Sequence, residues 1–168
     1  PAVKLAQELE KVLPEGLSRF TFHDNGSSCV EAALKMAFQY HYQTGHPERT
    51  RFMCLPESYH GETIGALSVG SMDFYAKIFH PMLMDNIHFD GLDCYRCPYG
   101  KTRNHCGVEC FESAEKAFKQ HGKETAAVIV EPILQGAAGM RIYPEKNKKK
   151  LRKLCDAYGV LVIDDEIA

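Results

Sequence analysis

The sequence contains no apolar run long enough to cross a membrane and little excess charge of either sign. A spanning helix needs about 20 consecutive apolar residues, and no stretch of the 168 residues approaches that length. The formal net charge of -2 gives no reason to expect nucleic acid or an anionic membrane as a partner. The first residues do not have the pattern of a signal peptide. These absences predict a cytoplasmic protein that binds neither nucleic acid nor membranes.

The chain also contains no internal repeat, low-complexity tract or evident linker, which predicts a single domain. Its seven cysteines are an odd number and are not spaced as in a small disulfide scaffold. Three of them, Cys29, Cys54 and Cys155, lie in periodic apolar segments, where reduced thiols are expected. Pro1 opens directly on a helical pattern, and Ala168 closely follows an apolar strand. We therefore expect the chain to be a fragment of a longer protein.

Helical and extended patterns alternate along the sequence. The helical spacing of apolar residues predicts helices at 3–13, 28–41, 111–120 and 144–158, with a short one at 73–79. Ser28 and Glu31 have the spacing of a capping box for the second helix. Strands are predicted at 19–23, 51–55, 126–130 and 160–163, and the rest of 62–92 is expected to be irregular. Continuous apolar strands between helices predict an α/β fold with a mostly parallel sheet covered on both faces.

Residues with ligand-binding chemistry follow these strands, where an open parallel sheet binds its ligands. Asn25-Gly26-Ser27-Ser28 begins a helix, so Gly26 and Ser27 could offer amide and hydroxyl donors to a phosphate. Simple helix capping is the alternative. Tyr59 and His60 follow the second strand, where the phenol ring could stack on a planar ligand and the imidazole could orient it or move protons. The alternative is a packed tyrosine beside an exposed histidine.

Carboxylates follow the last two strands. Glu131 comes directly after the strand at 126–130, ahead of a loop of small residues at 135–139. Asp164, Asp165 and Glu166 close the final strand, where an unpaired charge is costly. Neighbouring strand side chains point to opposite faces, so only one of the two aspartates can easily face a ligand. A cationic heterocycle or a metal ion would explain such a carboxylate.

Together these segments resemble the class III (ω-type) aminotransferases over essentially the whole chain. The resemblance is carried by Asp24-Asn25-Gly26-Ser27, Tyr59-His60-Gly61, Val130-Glu131-Pro132-Ile133 and Asp165-Glu166-Ile167. It implies part of the large domain of a fold-type I transferase that depends on pyridoxal 5'-phosphate (PLP), here residues 1–168. The lysine-bearing remainder and the small domain would lie elsewhere. Gly26 and Ser27 would bind the phosphate, Tyr59 would stack on the ring beside His60, Asp165 would pair with the ring nitrogen, and Glu131 would lie near that aspartate.

The stretches at 30–37, 65–70 and 135–140 resemble the branch of this family that acts in biotin biosynthesis. That branch converts 7-keto-8-aminopelargonate to 7,8-diaminopelargonate, with S-adenosylmethionine as the amino donor. Many other ω-aminotransferases have a glutamate at the position of Ala137, where it pairs with a substrate-binding arginine. The resemblance implies a homodimer for the full-length protein. The lysine that binds PLP covalently follows the Asp-Glu pair in the family and has no counterpart here, since Lys35 lies within a helix and Lys146 to Lys153 are expected on a solvated helical face. We therefore expect these residues alone to be inactive.

A cysteine-rich loop at about 90–111, the cysteine loop, does not take part in the PLP chemistry. Cys94 and Cys97 form a C-x2-C pair, and Cys106 and Cys110 follow eight residues later. Paired thiolates on short loops favour tetrahedral zinc, although free thiols or disulfides formed on oxidation are alternatives. Two other functions remain open at this point. One is a class III aminotransferase with a different amino donor or ω-amino substrate, and the other is a zinc-stabilised α/β binding module without catalysis.

Overall fold

A four-stranded parallel sheet organises the chain in the computed structural model, which describes residues 1–90 and 92–167. Gly91, within the cysteine loop, and Ala168 lie outside the described residues. The sheet has the order β2-β1-β3-β6, and its strands are β1 (Arg51–Cys54), β2 (Ile87–His88), β3 (Thr125–Val130) and β6 (Leu161–Asp164). A separate antiparallel hairpin pairs β4 (Leu134–Gln135) with β5 (Arg141–Ile142). The expected α/β fold with a parallel sheet is confirmed.

Helices cover both faces of this sheet. The α-helices are α1 (Ala2–Glu10), α2 (Gly26–Gln43), α3 (Ile64–Val69), α4 (Asp73–Ala76), α5 (Glu112–His121) and α6 (Glu145–Tyr158). Two 3₁₀ helices span Lys77–Met82 and Glu109–Phe111. Apolar residues of α2 and α3 pack on one face, and those of α5 and α6 pack on the other. Among residues 1–90 and 92–167, no helix combines the length and the apolar character needed to cross a membrane.

The central strands are buried on both faces because their side chains alternate between two cores. All six residues of β3 are buried. Val128 and Val130 belong to the core beneath α5 and α6, whereas Ile129 belongs to the core beneath α2 and α3. The same alternation places Met53 and Phe52 of β1 in opposite cores. The continuous apolar runs in the sequence therefore reflect burial between two helical layers.

Some local predictions are wrong. Residues 19–23 form no strand, although their side chains alternate in character. Residues 62–92 are more regular than expected, because α3 packs Ala66 and Val69 into a core. Ser28 and Glu31 do not form a capping box. The cap of α2 is Asn25, whose Oδ1 accepts from the Ser28 amide at 2.9 Å, and the Glu31 carboxylate instead accepts from the amide of Gly65 in the first turn of α3.

Arg49 joins three elements at the edge opposite the ligand-binding edge of the sheet. Its Nη1 donates to the carbonyl oxygens of Gly122 and Thr125, each at 2.9 Å, and its Nη2 donates to that of Tyr158 at 2.8 Å. These carbonyls belong to the end of α5, the start of β3 and the end of α6. One half-buried guanidinium therefore holds two helix ends beside the central strand.

We predict that Arg49→Met lowers the free energy for local opening around β3 by about 3 kcal/mol, because three charge-assisted hydrogen bonds are lost. Native-state hydrogen exchange of the peptide 122–130 measures this energy in the full-length protein. Arg49→Lys keeps the charge but not the planar fork, so a smaller loss is expected. Unchanged exchange in Arg49→Met would contradict the role assigned to this side chain.

Candidate functional site

Residues 59–62 follow β1 in the sequence and lie at the centre of the candidate site; they are called the 59–62 segment. They occupy the edge of the sheet at which β1, β3 and β6 all end, because parallel strands point their carboxyl ends the same way. Tyr59 contacts Glu131, His60 contacts Asp165, and the last two residues contact the start of α2. The segment therefore connects the start of α2 with the ends of β3 and β6.

The start of α2 is one wall of the site. The side chain of Asn25 accepts a hydrogen bond from the Ser28 amide. The amides of Gly26 and Ser27 therefore have no intrahelical acceptor in this first turn. With 18 residues, α2 is long enough to have a developed dipole, which is positive at this end. Gly26 also touches the far side of the site, since a Cβ added to it would lie 2.2 Å from Cδ1 of Ile167. The predicted phosphate-binding pair thus lies at a helix N-terminus that suits an anion.

Gly61 and Glu62 pack directly against that helix start. The Glu62 amide donates to Oγ of Ser27 at 3.2 Å. Gly61 has a φ of +121°, and a Cβ at this position would lie 2.2 Å from the same Oγ. Only glycine combines this backbone conformation with so close an approach. The position of Ser27 therefore depends on the absence of a side chain at residue 61.

His60 pairs with Asp165 across the site. Nδ1 of His60 lies 2.8 Å from Oδ2 of Asp165, and the side chain of the histidine is fully buried while that of the aspartate is 9% exposed. Because an ionised carboxylate only accepts, Nδ1 is the donor. No hydrogen-bond partner for Nε2 of His60 is found within the described part of the chain. The sequence predicts His60 as a residue next to the ligand, and in the structure its imidazole fixes the carboxylate of Asp165.

Glu131 is buried, and its carboxylate is held by backbone amides. Oε1 accepts from the Tyr59 amide at 3.1 Å, and Oε2 accepts from the Gly136 amide at 2.8 Å. Two amide donors compensate for burying an anion that is only 6% exposed. Glu131 therefore positions the 59–62 segment relative to the β4–β5 hairpin. These contacts were not predicted from the sequence, which indicated only that Glu131 would lie near Asp165.

The ring of Tyr59 lies at the open side of the segment. Its centroid is 5.4 Å from that of Tyr75, and its hydroxyl donates to Oε1 of Glu62 at 3.3 Å. Burial raises the pKa of the Tyr59 phenol, and the Glu62 carboxylate raises it further. The phenol therefore remains protonated at neutral pH and offers its face as an apolar surface.

Asp164 and Asp165 point in different directions, as the alternation of strand side chains predicts. Asp164 pairs with Nζ of Lys148 on α6 at 3.0 Å. Asp165 instead turns toward His60, and its amide donates to the carbonyl oxygen of Val130 at 2.9 Å. A cavity of about 410 Å³ lies between α2 and the end of β6, lined in part by Gly26, Ile163 and Asp165. The start of α2 and Asp165 thus line one cavity.

The lysines of α6 are not all on a solvated face, contrary to expectation. Lys146 donates to the carbonyl oxygen of Cys106, Lys150 donates to that of Gly107 at 3.5 Å, and Lys148 pairs with Asp164. Lys149 does face solvent, where it pairs with Glu145. Helix α6 therefore supports both the cysteine loop and the end of β6.

Cys94, Cys97, Cys106 and Cys110 line one small cavity beside α6. Burial raises the pKa of the Cys94 thiol, and the Cys106, Cys110 and Cys97 thiols raise it further. As these side chains stand, no group of three or more His, Cys, Asp or Glu among residues 1–90 and 92–167 is arranged to hold a metal ion.

Comparison with known proteins places these features in one family. The family model described as aminotransferase class-III matches residues 1–168. An adenosylmethionine-8-amino-7-oxononanoate aminotransferase of Nitratidesulfovibrio vulgaris is 44% identical over 170 residues, which cover 100% of this chain and 31% of that protein. The chain thus spans about a third of the length of this relative.

Solved structures agree on the fold. The crystal structure of adenosylmethionine-8-amino-7-oxononanoate aminotransferase from Methanocaldococcus jannaschii superposes with a TM-score of 0.88 at 32% identity, covering 100% of this chain and 35% of that one. An amine transaminase from an uncultivated Pseudomonas species, solved with PLP bound, superposes with a TM-score of 0.85 at 34% identity, covering 98% of this chain and 38% of that one. The α/β fold is therefore that of PLP-dependent transaminases.

We predict that Gly61→Ala destabilises the protein by about 3 kcal/mol, because the new methyl group both strains the backbone and displaces Ser27. Gly139→Ala is the matched control, since Gly139 has a φ of +87° but nothing within 4 Å of an added Cβ. The control should lose only about 1 kcal/mol, from backbone strain alone. Thermal unfolding of both variants of the full-length protein measures the difference, and equal losses would contradict a steric role for Ser27.

Proposed function

The chain belongs to the class-III aminotransferase family, and we propose that the full-length protein uses PLP to convert 7-keto-8-aminopelargonate to 7,8-diaminopelargonate with S-adenosylmethionine as amino donor. The names of the relatives in Nitratidesulfovibrio and Methanocaldococcus support this substrate pair. Since the chain spans about a third of such proteins, the remainder supplies other parts of the active site. The observation that carries the proposal is the buried His60–Asp165 pair, because Asp165 lines a cavity that begins at a helix N-terminus.

The residues of this cavity fit the two ends of PLP. The free amides of Gly26 and Ser27 suit the phosphate, and the carboxylate of Asp165 suits a protonated pyridine nitrogen. When bound, PLP withdraws electrons from the substrate carbon through that protonated ring. Asp165 would hold the proton on the ring nitrogen, and His60 would keep the carboxylate oriented by donating from Nδ1. Both tasks are electrostatic and need no movement of the chain.

Tyr59 and Glu131 would contribute by position. The Tyr59 ring would pack on the face of the pyridine, and its orientation is limited by Glu131 on its amide and Glu62 on its hydroxyl. Glu131 would act through Tyr59 and the β4–β5 hairpin, since both of its carboxylate oxygens are already occupied. This makes Glu131 a positioning residue.

The lysine that binds PLP covalently would lie outside residues 1–168. Lys148 and Lys146 of α6 have partners of their own, on Asp164 and on the cysteine loop. Lys35 is exposed on α2, a helix that offers its start to the site through Gly26 and Ser27. We therefore expect residues 1–168 alone to lack aminotransferase activity, and the sequence after Ala168 in the gene to contain a strand that ends in lysine. A reading frame without such a lysine would refute this part of the proposal.

We also propose that the full-length protein is a cytoplasmic homodimer. Met36, Phe38, Tyr40 and Tyr42 on α2 are each 43–65% exposed, which leaves apolar surface for another element or subunit to cover. Light scattering of the full-length protein tests this, and a monomer would contradict it.

The position of Ala137 favours the biotin branch over its sister enzymes. Ala137 lies at the exposed turn of the β4–β5 hairpin, directly after Gly136, whose amide is held by Glu131. A glutamate here would add a charge available to an arginine of the site, and this chain has a methyl group instead. A non-catalytic binding module would leave the His60–Asp165 pair and the strained Gly61 without a role.

We predict that Asp165→Asn lowers kcat/KM of the full-length enzyme by about 100-fold or more, because an amide cannot stabilise a protonated ring nitrogen. Asp164→Asn is the matched control, since that neighbour pairs with Lys148 on α6, and its activity should stay within a few-fold of the parent. Steady-state kinetics, with the absorbance of bound PLP, measure both variants. Equal losses in the two variants would contradict the assignment of Asp165.

We predict that the full-length enzyme consumes S-adenosylmethionine when 7-keto-8-aminopelargonate is present and forms 7,8-diaminopelargonate. Mass spectrometry of the products, with ornithine and 4-aminobutyrate as competing donors, decides between the branches. Turnover of an ω-amino acid with no reaction of S-adenosylmethionine would identify a sister enzyme and leave the assignment of Asp165 intact.

A further inference from the structure

The cysteine loop contains no helix and no strand of either sheet between Leu92 and Val108. Its internal order comes from short contacts, such as the Gly100 amide on the carbonyl oxygen of Cys97 at 3.0 Å and the isolated bridge between Thr102 and His105. Tyr95 is 90% exposed. Long excursions without regular structure are uncommon in a compact domain unless something fixes them.

All four cysteines of the loop line one small cavity of about 20 Å³, which has room for a single small occupant. Two of them, Cys94 and Cys97, form the C-x2-C pair in the first half of the loop. The other two, Cys106 and Cys110, lie near its end. This number and spacing of thiols matches a closed, tetrahedral structural zinc site. The fold thus brings together groups that lie up to 16 positions apart in the sequence.

Asn147 gives a second, independent indication of an occupant. This α6 residue is 2% exposed and lines the same cavity. Within the described residues, neither its Nδ2 nor its Oδ1 has a hydrogen-bond partner. A buried primary amide without partners is costly, but its N–H groups would be satisfied by donating to the sulfur of a metal-bound thiolate. Groups that form hydrogen bonds to metal ligands in this way hold those ligands in orientation.

The charges around the cavity suit an anionic metal centre. A zinc ion with four thiolates carries a net charge of about -2, from the ion's two positive charges and one negative charge on each sulfur. Lys101 and Arg103 line the cavity, and Lys146 anchors the loop at Cys106. The two acidic residues of the lining are already engaged. Asp93 accepts from the amides of Tyr95 and Arg96 and faces Arg141, and Glu109 accepts from the Gly107 amide.

We propose that Cys94, Cys97, Cys106 and Cys110 bind one zinc ion that holds the cysteine loop against α6, with Asn147 donating to a ligand sulfur. The thiols do not converge on one point as they stand. Closure of the site would involve rotation about the Cα–Cβ bonds, which redirects a sulfur without moving the backbone. The site is structural, because four protein ligands leave no open position for a substrate.

The full-length protein, purified without chelator and without a metal-affinity tag, tests this proposal. We expect about one zinc per chain by elemental analysis, and at least tenfold less in Cys97→Ser. Cys29→Ser is the matched control, since Cys29 is an exposed cysteine on α2 outside the loop, and it should retain its zinc. Asn147→Leu should weaken zinc binding about tenfold in a chelator competition, because it removes a donor next to the ligands.

A second measurement keeps the test decisive if Cys97→Ser does not fold. Replacing zinc with Co²⁺ in the unmodified protein should give the intense visible and sulfur-to-metal bands of a tetrahedral thiolate site. A metal-free protein whose four thiols alkylate readily would overturn the proposal, and so would disulfides in the loop. Zinc retained in Cys97→Ser would overturn the assignment of the ligands. None of these results depends on aminotransferase activity.

Discussion

Parallel pairing of β1, β3 and β6 is the constraint on which the candidate site depends. It brings three segments that are far apart in the sequence to one edge of the sheet, so that His60 reaches Asp165 and the Tyr59 amide reaches Glu131. Antiparallel pairing of any one strand would move its terminal residue to the opposite edge. The two apolar cores fix this arrangement, because β1, β3 and β6 each contribute side chains to both of them.

The 59–62 segment completes the site because it provides hydrogen-bond partners for the two carboxylates at this edge. Two carboxylates are buried at this edge, and each would be costly if left unpaired. Glu131 accepts from two amides, at 3.1 and 2.8 Å. Asp165 accepts from the His60 imidazole at 2.8 Å and from the Ile167 amide at 3.4 Å, so one of its oxygens is only weakly engaged and can still accept from a ligand. This difference in partners supports the proposal that Asp165 faces the cofactor while Glu131 positions the 59–62 segment.

The parts of the molecule that sequence reasoning could predict are those governed by local patterns. Continuous apolar runs predicted β3 and β6, and Pro144 and Gly159 bracketed α6, which ends with Gly159 at a φ of +64°. The roles of His60 and Glu131 depend on contacts over 105 and 72 positions, which no local pattern contains. The strand expected at 19–23 failed because alternation alone gives a strand no partner. Glu31 has the spacing of a cap for its own helix and binds α3 instead, so tertiary contacts override a local motif.

Helix α6 contacts both the cysteine loop and the end of β6, but it does so through different residues. Lys146 and Asn147 face the loop, and Lys148 pairs with Asp164 at the end of β6. Asp164 and Asp165 are adjacent, but their side chains have partners on different elements, α6 for one and the 59–62 segment for the other. A disturbance of the loop can therefore reach Asp164 through one helix, whereas Asp165 is held independently by a buried histidine.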